Sequence, residues 1–318
     1  MTSPSPQRSP YRPHFKRVES PNVKLQPRDV EILRQVHRHR FLRSTHIASL
    51  VGGSEQHVRR RLQLLFHHGY LDRPREQLDY HGEAGKKPYA YALGNKGADL
   101  LAGEFDVSRG RVDWTAKNRT VGQIFLEHTL LTAELMVGLE VACRERGSVR
   151  LIDADEIVSR SPDHTQRRRN PLAWQAVVQH EGHRLKVGVQ PDRVFGLHYL
   201  ELPEGRNRAY FFLESDRGTM PVERRTLTKT SVHRKLLAYH ETWRGNLHTR
   251  DFNLKSFRVL TVTSGPERAL HIREAAQRVT RGAAPGLFLV TDRATVEREN
   301  PLTLEWHNTR GERISLLP

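Results

Sequence analysis

Cysteine is almost missing from this 318-residue chain. The one thiol, Cys143, leaves no partner for an intramolecular disulfide and excludes a thiol-rich metal centre. Long apolar runs are missing too: nothing approaches the roughly 20 residues that cross a bilayer. The basic N-terminus is followed by no apolar core, so no secretory signal is expected and the expected compartment is the reducing cytosol. Acidic residues are in deficit, 36 against 52 Lys and Arg, for a formal charge of +16. That balance points to a polyanionic partner, and duplex DNA is the usual one. There is no glycine-rich phosphate loop ending in Lys-Ser/Thr and no local Ser/His/Asp signature. His37-Arg38-His39 and His67-His68 are spaced too closely for zinc and read as solvated or capping residues.

What is present divides along the chain. Residues 1–26 are rich in Ser, Pro and Arg, with five prolines in the first 22 positions, and are expected to form a disordered basic tail. From Pro27, Val30, Leu33 and Val36 recur at helical spacing. Ser44 can cap a short second helix and Ser54 a third. The third places Val58, Leu62 and Leu65 on one face, with Arg59, Arg60 and Arg61 around another. A polar excursion from Gln77 to Lys87, including Lys86, separates two short strands, Tyr70–Arg73 and Pro88–Leu93. Three helices and a two-stranded wing predict a winged helix-turn-helix over 27–103, with the third helix in the major groove and the wing on the flanking backbone. The expected DNA-contacting residues are therefore Arg59, Arg60, Arg61, Lys86 and Lys87.

Residues 104–120 read as a linker and 121–318 as a second domain. A long helix over Val121 to Arg146 carries a stripe of Ile124, His128, Leu131, Leu135 and Leu139. A strand at 149–154 and a basic loop with Arg167, Arg168 and Arg169, a further DNA-contacting set, come next. Val187–Leu197 reads as one strand, with Pro191-Asp192 inside it, and Ala209–Thr219 as the next, ending Glu214-Ser215-Asp216. Two adjacent strands of this kind bring Asp192, Glu214 and Asp216 to one sheet edge, and hard divalent cations such as Mg²⁺ or Mn²⁺ take oxygen ligands of that type. A helix over Ser231–Arg244, an apolar strand at 257–263, a helix at 269–279 and strands at 287–290 and 302–306 follow. The fold class is α/β (α+β over the whole chain), with a mixed sheet in the second domain.

The order of these elements, with Pro-Asp on one strand and an acid ending the next, resembles the PD-(D/E)XK nuclease-like fold. The resemblance implies that Asp192 and Glu214 hold a divalent metal. A lysine is expected two residues after Glu214, where this chain has Asp216. The resemblance then leaves Asp216 as a third ligand and Lys235 on the following helix, or Lys229, as the displaced cation. Over nearly everything after the tail the chain resembles one narrower family, the bacterial replication-relaxation proteins. The carriers are Gly69-Tyr70-Leu71, Glu127-His128-Thr129-Leu130, Pro191–Phe195, Glu214-Ser215-Asp216-Arg217-Gly218-Thr219, Lys235–Tyr239 and Phe257–Leu260.

That family implies a role in plasmid or mobile-element replication, relaxation or mobilisation. One expectation is a DNA-binding nuclease in which Asp192, Glu214 and Asp216 hold the metal and Lys235 or Arg217 stabilises phosphoryl charge. The other is a non-enzymatic DNA-binding initiator, accessory factor or repressor that keeps the nuclease fold as a scaffold. Expected partners are duplex DNA and plasmid replication or conjugation proteins, with no membrane; the oligomeric state stays open, a homodimer among the options.

Overall fold

The structure, a computed structural model, describes residues 15–19, 22–77, 88–104, 113–180, 182–224, 226–227 and 229–318. It divides into two compact units, 1–133 and 134–318.

In the first unit, α1 (Pro27–His39) begins with Pro27 in its first turn, and the Gln26 N–H donates to Asp29 Oδ2 at 2.7 Å. Ile32, Leu33 and Val36 are fully buried along it. β1 (Leu42–Arg43) leads into α2 (Ser44–Val51), and the Ser54 hydroxyl caps α3 (Glu55–His67) by accepting from the His57 N–H. β2 (Leu71–Asp72) and β3 (Ala90–Leu93) complete a three-stranded sheet ordered β1-β3-β2. This is the three-helix-and-wing arrangement that the periodicity predicts, with one strand more. Two glycines explain the Gly94-Asn95-Lys96-Gly97 sequence after the wing. A Cβ at Gly94 would lie 2.3 Å from the Gly69 carbonyl oxygen, and one at Gly97 the same distance from that of Tyr70.

Both ends of this unit hold more order than the composition suggests. Arg17, in the stretch expected to be a disordered tail, donates to the Phe66 carbonyl at 3.0 Å and pairs with Asp72. Residues 1–14, 20 and 21 of that stretch lie outside the described residues. After α4 (Asn95–Glu104), part of the expected linker folds as α5 (Trp114–Arg119), capped by Asp113. Its buried Asn118 donates to the Leu93 carbonyl at 2.8 Å, so the segment is tied to β3.

The boundary between the units falls within α6 (Gln123–Arg146). Of the expected stripe, Leu131, Leu135 and Leu139 are buried and His128 is half-buried, but Ile124 is 63% exposed, and Leu126 and Leu130 are buried beside them.

The second unit continues with β4 (Val149–Ile152), α7 (Ala154–Ser159) and α8 (Asp163–Gln166). Next come β5 (Trp174–His180), β6 (His183–Val189), β7 (Arg193–Tyr199) and β8 (Arg208–Ser215). α9 (Val232–Arg244), α10 (Leu247–Phe252), β9 (Arg258–Thr263) and α11 (Pro266–Thr280) follow. β10 (Phe288–Asp292), α12 (Arg293–Arg298), β11 (Trp306–His307) and β12 (Arg313–Ile314) end the chain. Seven strands form a mixed sheet in the order β12-β11-β10-β9-β8-β7-β4. β4, β7 and β8 are an antiparallel meander; α9 crosses over so that β9 lies parallel to β8. β5 and β6 form a ribbon of their own, so the single strand expected over Val187–Leu197 is two strands in two sheets. Pro191 is the cause: without an N–H it cannot extend a ladder. Trp174, Phe212, Tyr239, Phe252 and Phe257 make up the aromatic centre of the core. No helix among the described residues is long and apolar enough to cross a membrane.

Two ion pairs anchor the units. Asp29 is fully buried and takes a two-pronged guanidinium from Arg61, both contacts 2.6 Å. Asp251, also fully buried, faces Arg250 at 2.7 Å and Arg168 at 3.3 Å. Burial opposes the charge of Asp251, but the two guanidinium groups outweigh it and hold its pKa down to about 2. Two outcomes are expected. Arg61→Ala strands a buried carboxylate and should cost about 3–5 kcal/mol, read as a lower urea midpoint. The Asp251 contribution is complete above the ordinary aspartate range and is lost as pH falls toward about 2. Asp251→Asn should therefore flatten the acid limb of a melting-temperature profile.

Candidate functional site

The strand ends predicted to converge do meet, and their side chains divide. Asp192 follows Pro191 at the entry to β7. Its N–H donates to the Leu213 carbonyl at 2.9 Å, and its Oδ2 accepts the Ser215 N–H at 2.7 Å. Glu214, next to last in β8 and 8% exposed, uses both oxygens. Oε2 accepts from Lys235 Nζ at 2.5 Å and Oε1 from the Tyr239 hydroxyl at 2.5 Å. Lys235 and Tyr239 are four residues apart on α9 and so share one helix face. Ser231 starts that helix as its N-cap, accepting from the Arg234 N–H at 3.1 Å. The expectation that Lys235 reaches the sheet edge agrees with this geometry.

Asp216 departs from the set. β8 ends at Ser215, and the Asp216 N–H bonds the Val262 carbonyl at 2.8 Å, turning its carboxylate toward β9 and α11. There it accepts from Thr263 Oγ1 at 2.6 Å and from Arg268 Nε and Nη2 at 2.5 and 3.0 Å. Arg268 also donates to the Met220 carbonyl, closing the loop between them. Gly218 lies in the left-handed region, φ 82°, where a Cβ would stand 2.8 Å from Ser264 Oγ. The Glu-x-Asp-x-Gly-Thr sequence is thus a loop closure on α11. Arg268 and Thr263, which hold Asp216, are absent from the sequence expectation. Of the other expected cations, Arg217 reaches Thr219 Oγ1 at 3.5 Å.

Electrostatics follow the same division. Burial raises the pKa of Glu214, with the Asp192 charge adding to it; Lys235 and Tyr239 offset this only in part. Burial works against the Lys235 ammonium, but Glu214, then Asp192 and Asp216, outweigh it and hold its pKa above the ordinary lysine value. Tyr239 is pushed well above the ordinary phenol value by burial and by Glu214. Burial would raise Asp216 as well, but the Arg268 fork and the Thr263 hydroxyl bring it below the ordinary carboxylate range.

This donor set does not fit the three-carboxylate metal centre predicted from the sequence. Both oxygens of Glu214 and both of Asp216 are taken by hydrogen-bond donors of the chain itself. Among the described residues, no group of three His, Cys, Asp or Glu side chains is placed to hold a metal ion.

The expected DNA-contacting residues also separate. Val58, Leu62, Leu65 and Phe66 face the core of the first unit, so Gln56, Arg60 and Gln63 point outward from α3. Arg59 is exposed and pairs with Glu55 one turn away at 2.5 Å. Arg61 is withdrawn into its pair with Asp29, a structural role rather than a DNA-facing one. Lys86 and Lys87 lie outside the described residues. Arg167 pairs loosely with Asp163 at the surface, 3.3 Å, and Arg169 is exposed. Arg168 is spent on Asp251.

Removing the Lys235 cation should expose the stress at Glu214. In Lys235→Met the buried carboxylate keeps Asp192 beside it and loses its counter-charge, a cost of about 1–3 kcal/mol at neutral pH. Because the folded-state pKa of Glu214 is raised, the variant should be most stable below the ordinary glutamate range. It should lose stability as pH rises through the raised folded value. Melting temperatures from about pH 4 to 9 read this, and adding Glu214→Gln should remove the dependence.

A family model described as replication-relaxation matches residues 33–254, from α1 through the meander and α9 into the loop after α10. No curated protein and no solved structure matches the chain. The match takes in the outward face of α3, Asp192, Glu214, Asp216 and the α9 residues that hold them, and covers more than two thirds of the sequence. The chain therefore belongs to the replication-relaxation family, which points to a role in plasmid replication or relaxation.

Proposed function

We propose that the protein binds duplex DNA through α3 and acts in plasmid or mobile-element replication, relaxation or mobilisation as a non-cleaving initiator or accessory factor. The observation that carries this reading is the outward face of α3. It offers Gln56, Arg60 and Gln63 to solvent from a helix anchored by four buried apolar residues, beside a wing, in a chain of net charge +16. Arg and Gln side chains at such spacing suit guanine and adenine edges in a major groove, and the surrounding positive charge supplies sequence-independent affinity. The second unit supports the DNA-binding role as a scaffold, its carboxylates held by Lys235, Tyr239, Thr263 and Arg268.

One observation favours a second reading, metal-dependent nicking: α9 brings Lys235 to the strand-end carboxylates, the cation that the nuclease resemblance calls for. That reading needs Mg²⁺ or Mn²⁺ to displace Lys235 from Glu214, with Asp192 as the other ligand. Replication or conjugation proteins as partners, and a homodimer, belong to either reading.

Duplex binding tests the α3 contact that both readings share, and plasmid nicking separates them. Arg60→Glu should weaken duplex binding, by about 1–3 kcal/mol if it contacts a base, or lower the salt slope by about 0.9 if it contacts phosphate. Arg61→Lys should leave the salt slope unaltered. Supercoiled plasmid should stay intact with Mg²⁺ or Mn²⁺ over hours. Nicking abolished by Asp192→Ala with DNA binding retained would instead establish the second reading.

A further inference from the structure

Away from the sheet-edge carboxylates, the β5–β6 ribbon shows a chemistry that the site described above does not use. Register pairs Gln175 with Gly188, Val177 with Lys186, and Gln179 with Arg184. All six lie on the exposed face, alternating with buried Trp174, Ala176, Val178, Val187 and Val189. The outward face therefore carries two cations, two amides and a valine, and no acid. A Cβ at Gly188 would meet nothing within 4 Å, leaving the backbone there open to close approach. Among the described residues Arg184 and Lys186 have no ion-pair partner. Arg169, also exposed, stands a few residues before the ribbon.

We infer that the outward face of the β5–β6 ribbon is a second duplex-DNA contact, laid in a groove. It rests on the DNA-binding reading above. A major groove about 12 Å wide and 8.5 Å deep admits a two-stranded β-ribbon, whose strands lie about 4.8 Å apart. Side chains two apart on each strand, about 6.7 Å, then meet every second base pair, at about 3.4 Å per pair. Arg184 and Lys186 suit phosphate or guanine edges, Gln175 and Gln179 suit adenine, and Val177 suits the thymine methyl. The ribbon is also rigid enough to place them. Trp174 packs on Phe212 and Phe252 with ring centroids 5.2 Å apart in each case, and its indole N–H donates to Thr242 Oγ1 at 2.8 Å. A simpler role for charge on a free ribbon is to block edge-to-edge aggregation. That role asks only for charge, of either sign, whereas DNA binding asks for positive charge at these positions.

The test uses the full chain and labelled duplex DNA across a range of salt. Arg184→Glu with Lys186→Glu should weaken binding roughly tenfold or more and make the log-affinity salt slope shallower by about 1.8, two phosphates' worth. The same charge change at the exposed Lys255 and Arg298 of the same unit should do far less. Gln175→Ala with Gln179→Ala should flatten preference among duplex sequences and leave the salt slope alone. Equal effects of the ribbon and control pairs would overturn the inference. So would a ribbon-dependent preference for single-stranded RNA over duplex. Loss of binding in Arg60→Glu with the ribbon variant unchanged would overturn the ribbon contact and leave the α3 reading standing. A wild-type chain without duplex affinity would overturn both.

Discussion

A carboxylate buried at the end of a sheet strand has to be met by donors, and Glu214 sets that requirement for the second unit. The charge of Asp192 lies close enough to raise it further, so a cation is needed and not merely a neutral hydrogen bond. Lys235 supplies it, with Tyr239 one turn on. Meeting both contacts fixes the rotation of α9 against β8. The same helix offers Thr242 to the Trp174 indole, so the ribbon is positioned through it. Asp216, two residues beyond Glu214, fixes α11 in the same way through Arg268. Two acids separated by one residue thus orient two different helices.

This division has a chemical consequence. A metal site on a sheet edge depends on carboxylate oxygens that face one point and have no better partner. Here the strand stops before Asp216, and the backbone bond to Val262 directs that side chain to the opposite helix. What remains at the edge is a lysine–glutamate pair with Asp192 beside it, its Oδ2 tied to the Ser215 N–H. Charge of that kind is balanced within the fold. Elsewhere, exposed cations without an ion-pair partner among the described residues include Arg60 on α3 and Arg184 and Lys186 on the ribbon.

Much of this was legible in the residues. The spacing of Val58, Leu62 and Leu65 identified α3 and its buried face, and the apolar runs marked the strand, helix and strand that became β8, α9 and β9, though not that β9 lies parallel to β8. Position Lys235 was visible because it stands one turn from Tyr239. The failures have physical causes. Pro191 in an apolar stretch hid a change of sheet, since burial looks the same in a ribbon packed on a helix and in a sheet strand. The Arg59–Arg61 triplet read as a single basic surface, although a helix turns about 100° per residue, which sends Arg61 inward to Asp29. Arg168 was similarly indistinguishable from Arg167 and Arg169 until Asp251, more than 80 residues away, was folded against it. The Asp216–Arg268 pair depends on a contact 52 residues apart that no local pattern encodes.

Everything proposed for this protein depends on where DNA meets the chain. Backbone hydrogen exchange of the full protein with and without saturating duplex DNA locates that contact directly. The proposed contact predicts slowed exchange over residues 54–63 at the start of α3, with the Asp192–Asp216 region unchanged whether or not Mg²⁺ is added. Protection confined to the Asp192 and Glu214 strand ends, dependent on the metal and absent from α3, would contradict it.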